Sequence, residues 1–472
     1  MAIPSVNLTV KDGALGITNN DGGNIIAIMG TSSAGPLNTP VSFTNSQAAR
    51  DTFGTGPLVE EAAHVLDIAG GTVICLRLTG SVAGTAGSVT QTGTGLSVLT
   101  TTGSVPLDTY QVRVLIVTGA TNPAAGLATF KVSLDDGRNY GPELALPTSG
   151  VYAVPNTGIT LNFSAASLVA GDYYSFLTTA PGYSTSNFNT GYDALMAADG
   201  LAFSLIDLVG VPADATAMQG FFAAFDAKLS ASASTSKRYF RGLMQAIDDT
   251  DANIITAGAS LVSTRMNIAA GFANITSSIT GMSTKRPASR VIAARWALTP
   301  AAEDAGRVAT GPCRGIVSLL RDEAKTPGLD AAGYSTLRTQ VGLPGYYITN
   351  SRLRGGPLSD FQLSQYGRVM DIAAGNVYVS GLHFLNDNTV VDRRTGLIVE
   401  ASARSIESYC RSRLLAVTVQ QGQASDASVV VDRATNILST SELKIAFTIL
   451  PLGYFKTITE TISFTNPALQ AA

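Results

Sequence analysis

The side chains that could do acid–base or metal chemistry are few in this 472-residue chain, and they are scattered. There are two histidines, His64 and His383, and a Ser–His–Asp site would need one of them beside a nucleophile. No GxSxG elbow is present, no glycine is followed by lysine as a phosphate loop demands, and there is no GxGxxG. Cys75, Cys313 and Cys410 are widely spaced, form no CxxC pair and read as reduced, buried thiols. Asp135-Asp136 and Asp248-Asp249, with Asp251 close to the second pair, are turn residues by type. Calcium is the alternative at either, but no EF-hand spacing accompanies them. No catalytic residue, no metal ligand and no cofactor is expected.

One charged constellation stands out. Arg393, Arg394, Arg404, Arg411 and Arg413 gather around a predicted helix at 398–417. Its apolar side carries Val399, Ile406, Cys410, Leu414 and Val417, and its other side Arg404, Glu407 and Arg411 with Arg413 nearby. Two readings stay open. One is a solvated face braced by a Glu407–Arg411 pair at i,i+4. The other is a basic ridge that docks on an acidic protein, a task suited to the planar arginine fork. Nucleic acid is disfavoured by the net charge of -3 and the lack of interleaved aromatics.

The elements that must carry these residues follow from composition and patterning. Charged residues make up only 14% of the chain, against roughly 25% in ordinary domains, and glycine alone numbers 47. Such a composition suits surfaces buried against other subunits, where unpaired charge is costly. The start, MAIPSVNLTV, lacks the basic and apolar runs of a secretion signal. No stretch approaches the ~18 apolar residues of a membrane span. A reducing cytoplasm is the expected place of synthesis.

Residues 24–30 (NIIAIMG) and 72–78 (TVICLRL) read as strands buried on both faces. Between them, Ser46 is placed to cap a helix ending at Phe53-Gly54, and Pro57 to start a second one stopped by Gly70-Gly71. This strand–helix–strand pattern returns after 193, with strands at 201–211, 239–246 and 263–269 and helices at 214–230 and 289–298. Two further helices are expected at 365–385 and 398–417, and strands at 428–432, 443–450 and 455–464. From about 81 to 181 the chain is rich in Thr, Ser and Gly, and short period-2 segments alternate with turns. The fold class is therefore mixed, α/β with α+β character: an α/β core holding an inserted all-β domain, sandwich or barrel-like.

The two ends also read as strand. Pro4, Val6, Leu8 and Val10 lie in one extended segment, and Phe455, Ile458, Thr459, Ile462 and Phe464 in another. A terminal strand needs a neighbour for its N–H and C=O groups. The partner is either an edge of the same chain or a second copy, and the latter makes the chain an assembly subunit.

Short motifs in order along nearly the full length resemble the tail sheath proteins of contractile phage tails and related injection machines. They include Met29-Gly30-Thr31, Gly35-Pro36-Leu37, Asp51-Thr52-Phe53-Gly54-Thr55-Gly56-Pro57-Leu58 and Arg77. The last third adds Arg393-Arg394-Thr395-Gly396-Leu397-Ile398, Ile406-Glu407, Val429-Val430-Val431-Asp432, Ile449-Leu450-Pro451-Leu452-Gly453-Tyr454 and Ile462-Ser463-Phe464-Thr465-Asn466. The β-rich insertion, with Asp135-Asp136-Gly137, Thr157-Gly158-Ile159 and Ala170-Gly171-Asp172, is similar to the outer domain of phage sheaths.

This resemblance implies a division into an N-terminal arm (1–22), a core (23–80 and 193–385), an outer β-domain (81–192), a tube-proximal part (386–454) and a C-terminal arm (455–472). It implies stacked hexameric rings around an inner tube, contraction that drives the tube through a target envelope, and arms that complete a neighbour's sheet. Val429, Val431, Ile445, Phe447 and Ile449 would then lie on the receiving strands. Arg404, Glu407, Arg411 and Arg413 would face the tube. Implied partners are further copies of the chain, the inner tube protein, and baseplate and tail terminator proteins, with neither nucleic acid nor membrane. The implied location is a virion tail or an extracellular contractile particle, assembled in the host bacterial cytoplasm. The competing expectations are a surface-layer or capsid-like subunit, and a hydrolase with a carbohydrate-binding β-domain.

Overall fold

A computed structural model of the chain describes residues 23–198, 200–356 and 358–464. At its centre is a six-stranded sheet in the order Met266–Ala269, Arg241–Gln245, Leu205–Leu208, Ile26–Gly30, Val73–Arg77, Pro40–Phe43. Every neighbouring pair is parallel except the last. A parallel sheet is covered by helices on both faces, which is why its strands are apolar without alternation.

Successive residues divide between two cores. Ile26 and Ile28 join Val73, Cys75, Leu205 and Leu243 on the face covered by the helices Pro57–Ala69 and Ala288–Leu298. Ala27 and Met29 join Ile74, Leu76, Ile206 and Leu208 on the face covered by Thr185–Ala197 and Ala215–Ser234. Each large aliphatic side chain so buried contributes roughly 1.5–3 kcal/mol, so these two layers hold the sheet.

The helix signals mostly act as their chemistry dictates. Pro57 opens its helix, where its missing N–H costs nothing, and Gly70 closes it at φ 66. The helix Ser46–Phe53 is capped one residue earlier than expected: Asn45 Oδ1, not Ser46, accepts from the Ala48 N–H. Asp214 caps Ala215–Ser234 in the same way. Several elements had no counterpart in the sequence reading, among them the edge strand Pro40–Phe43, the helices Thr185–Ala197 and Asp251–Gly258, and the strands Phe272–Thr276, Ser283–Pro287 and Leu337–Gln340.

Between residues 85 and 179 the described elements are strands and one short 3-10 turn. Two antiparallel sheets share one apolar core. Val112, Val114, Ile116, Phe130 and Val132 come from one sheet, and Leu99, Ile159, Leu161 and Phe163 from the other. This is a sandwich. The segments by which the chain enters and leaves it meet in an isolated antiparallel bridge between Val82 and Gly182. A buried two-pronged ion pair, Arg286 on Asp108 at 2.7 Å through both oxygens, ties it to the strand Ser283–Pro287.

After a three-stranded sheet and the hairpin Leu337–Gln340/Leu343–Ile348 come the helices Ser364–Leu382 and Glu400–Val417. The described chain closes with the antiparallel hairpin Ala424–Val431/Ile445–Pro451. Residues 455–464, expected as a further strand, form none: their backbone finds no partner strand among the described residues. The N-terminal segment with Pro4, Val6, Leu8 and Val10 lies outside the described residues.

Candidate functional site

The terminal hairpin is built by simple alternation. In Ala424–Val431, Ala427, Val429 and Val431 point to one side and are buried, while Ser428 and Val430 point out. The buried side packs on Ala403, Ile406, Cys410 and Leu414 of the helix Glu400–Val417. The register is Ala427 opposite Ile449, Val429 opposite Phe447 and Val431 opposite Ile445. Ile445, Phe447 and Ile449 are half-buried against the same helix. All five expected receiving residues thus lie on one face of one hairpin. Among the described residues this sheet has only two strands, so each strand keeps one edge without a β partner.

The chain leaves this hairpin through a clamp. Leu452 packs against Ala301, Ala302 and Val369. The Tyr454 hydroxyl donates to the Ala302 carbonyl at 2.6 Å, and its ring meets Tyr366 edge-on at 5.3 Å. Lys456 bonds Asp304 and donates to Asn350 Oδ1 at 2.6 Å. Within and beyond the clamp the apolar side chains of this segment are uncovered: Phe455 is 93% exposed, Ile458 72%, Ile462 99% and Phe464 106%, and Thr459 is exposed with them. Large apolar groups in a contiguous exposed row are uncommon on the surface of a monomer.

The arginine constellation is not the free basic ridge of one sequence reading. Arg404 pairs with Glu400 at 2.7 Å. Glu407 does not pair with Arg411. It accepts from the Val431 N–H at 2.8 Å and from Arg433 at 2.7 and 3.1 Å. Arg411 turns instead to the Ala427 carbonyl at 3.1 Å and Asp426 at 3.4 Å. Arg413 lies on Tyr409 and donates to its hydroxyl at 3.1 Å. Arg433, which spacing along the helix could not reveal, bridges Glu400 and Glu407. Its guanidinium, followed by that of Arg404, holds the Glu400 carboxyl down to about 2, and it lowers Glu407 as well. Arg393 and Arg394 sit on the exposed turn that precedes the helix, where Asp392 caps the backbone.

The two histidines sit on different helices. His64 is buried in the helix Pro57–Ala69, and burial, then the charge of Arg290, push it down to about 3. His383 caps the helix Ser364–Leu382 and stacks on Tyr409 at 4.4 Å. Asp135 is a turn residue as expected: its carboxylate accepts from the Ser133 hydroxyl and the Asn139 N–H.

The model of the family described as DUF2586, N-terminal domain, matches residues 3–352, and the chain belongs to that family. No curated protein matches the sequence. Among solved structures, the sheath complex of the extracellular contractile injection system PVC, in its contracted state, aligns with a TM-score of 0.55 at 8% identity, covering 100% of this chain and 99% of that one. A chain of the anti-feeding prophage (AFP) baseplate in its contracted state aligns at 0.53 and 12% identity, covering 98% of each chain. The AFP helical sheath in its contracted state aligns at 0.51 and 9% identity, covering 98% and 99%. The likeness is one of fold, and it runs the length of both chains.

Proposed function

We propose that this DUF2586-family chain is a structural subunit of a contractile sheath. It polymerises as stacked hexameric rings around an inner tube, on a virion tail or an extracellular contractile particle, and contracts to drive the tube through a target envelope. The observation that carries this reading is the terminal hairpin: two strands with an open edge on each, beside an uncovered apolar tail, on a fold like that of sheath proteins over its full length.

The mechanics follow from elementary energetics. An isolated two-strand sheet is marginal in water. Strands supplied by neighbours would satisfy its edge groups by β-augmentation. The segment 458–464, held at its base by Tyr454 and Lys456, supplies one strand, and the N-terminal segment with Pro4, Val6, Leu8 and Val10 the other. Main-chain bonds of this kind depend on no particular side-chain geometry, so they persist while subunits rotate. Contraction then needs two packings of one sequence separated by a barrier.

The face of the helix Glu400–Val417 is the proposed tube contact. Arg404 and Arg411 are half or more exposed and available to a partner, while Glu407 and Arg413 are engaged in holding the network. A mixed-sign polar surface is salt-sensitive and releases readily, as a sliding contact must. Electron microscopy of the purified full chain tests the reading. Hollow tubes or stacked rings are expected; flat lattices or closed shells would place the chain among surface-layer or capsid-like subunits instead.

A further inference from the structure

Beneath the central sheet lies a group of charges unrelated to the terminal hairpin. Asp207, in the apolar strand Leu205–Leu208, is 0% exposed, and Glu61 of the helix Pro57–Ala69 is 1% exposed. Around them are Glu60 and His64 on the same helix as Glu61, Arg290 on Ala288–Leu298, Arg286 on Ser283–Pro287, and Tyr183 before Thr185–Ala197. Arg290 donates its Nε–H to Glu61 Oε2 at 3.1 Å and stands 3.7 Å from Glu60 Oε2. The Ser277 hydroxyl donates to Glu60 Oε1 at 2.9 Å. Arg286 is committed to Asp108 through both of its terminal nitrogens.

No N–H or O–H group of the described residues reaches either oxygen of Asp207, nor Oε1 of Glu61. Three buried acceptors without a donor are strongly disfavoured if both carboxyls are ionised. Two like charges side by side would add to that cost, and Arg290 already serves two glutamates. A single proton resolves the conflict. Placed between the two carboxyls, it turns one into a donor to the other and removes one buried charge.

We infer that Glu61 and Asp207 form a proton-binding site in the core of the subunit, occupied by one proton across the neutral range and emptied only when the core loosens. Burial raises both groups above their ordinary values; at Asp207 the Glu61 carboxylate adds to the rise and takes it well above, while at Glu61 Arg290 and the bond to Asp207 work against it. The proton belongs to the pair, not to either residue alone. The pH consequence has a definite sign. The unfolded chain releases this proton above the ordinary aspartate value of 3.8, whereas the native chain keeps it. Unfolding therefore releases a proton, and the pair's contribution is complete below about pH 4 and lost progressively as pH rises toward the native value. The unfolding constant gains about tenfold per pH unit over that window. Alkaline conditions thus weaken the joint between the Leu205–Leu208 strand and the helices Pro57–Ala69 and Ala288–Leu298. This inference does not depend on the sheath reading.

Urea unfolding of the full chain between pH 5 and 9 tests it, with Asp207→Asn beside the native protein. The asparagine amide can donate to Glu61 but cannot titrate. The variant is expected to gain about tenfold in relative stability per pH unit as pH rises; parallel pH profiles would overturn the inference. Infrared spectroscopy of the native protein gives an answer even where the variant does not fold. A protonated-carboxyl band at pH 7–8 that shifts with 13C-aspartate or 13C-glutamate labelling is expected, and its absence would equally overturn the site.

Discussion

The central sheet and the terminal hairpin are made of the same kinds of strand and end in opposite states. In the central sheet, both faces of Ile26–Gly30 are covered and each edge of it has a partner within the chain. In the terminal hairpin one face is covered, both outer edges have no β partner among the described residues, and the chain beyond, to residue 464, carries its apolar side chains in water. The first region is complete as a single subunit. The second, on the proposed sheath reading, is completed by strands from neighbouring copies. A chain that finishes its core and leaves its end unfinished separates stability from assembly, and the two can be broken independently.

Two phenylalanines measure that separation. Phe225 is 0% exposed beneath the central sheet, and Phe225→Ala is expected to cost about 3–5 kcal/mol in urea unfolding. Phe455→Ala removes a ring that touches water and should change subunit stability by no more than about 0.5 kcal/mol, while lowering the yield of polymers seen by electron microscopy. Equal losses of stability from both would erase the distinction.

Arg433→Ala probes the polar side of the terminal unit with a smaller effect. The Glu400 carboxyl, now held at about 2, should titrate closer to its ordinary 4.5. Its folded value is depressed, so its contribution is present above the ordinary value and lost as pH falls through about 2. NMR titration of the glutamate carboxyls reads this directly, and an unmoved Glu400 would mean that Arg404 alone holds it down.

Much of the core was legible because its causes are local. Continuous apolar runs at 24–30 and 72–78, a proline at a helix start and a glycine at its end leave little choice. The helix Thr185–Ala197 was not legible, because Ser, Asn, Thr and Gly dilute its apolar period. Gly191 is there for packing, since a Cβ would stand 2.3 Å from Leu78 Cδ2. The site was legible in its strands and not in its pairings. Spacing along the helix offered Arg411 to Glu407, but the arginine that reaches it, Arg433, arrives from beyond the next strand. Residues 455–464 carry a strand's pattern without a strand's partner, and partnership is not written in a segment's own letters. Asp207 did leave a signal, a lone acid within the apolar run LIDL, which marks a carboxyl that must be neutralised or paired.

On the proposed reading the terminal segment serves assembly and not the subunit's own fold. A chain ending after Lys456, which keeps the clamp on Asp304 and Asn350, is compared with the full chain by thermal unfolding and electron microscopy of the same samples. An unchanged unfolding midpoint and no long polymers are expected. Normal polymers from the shortened chain, or a collapse of its unfolding midpoint, would contradict it.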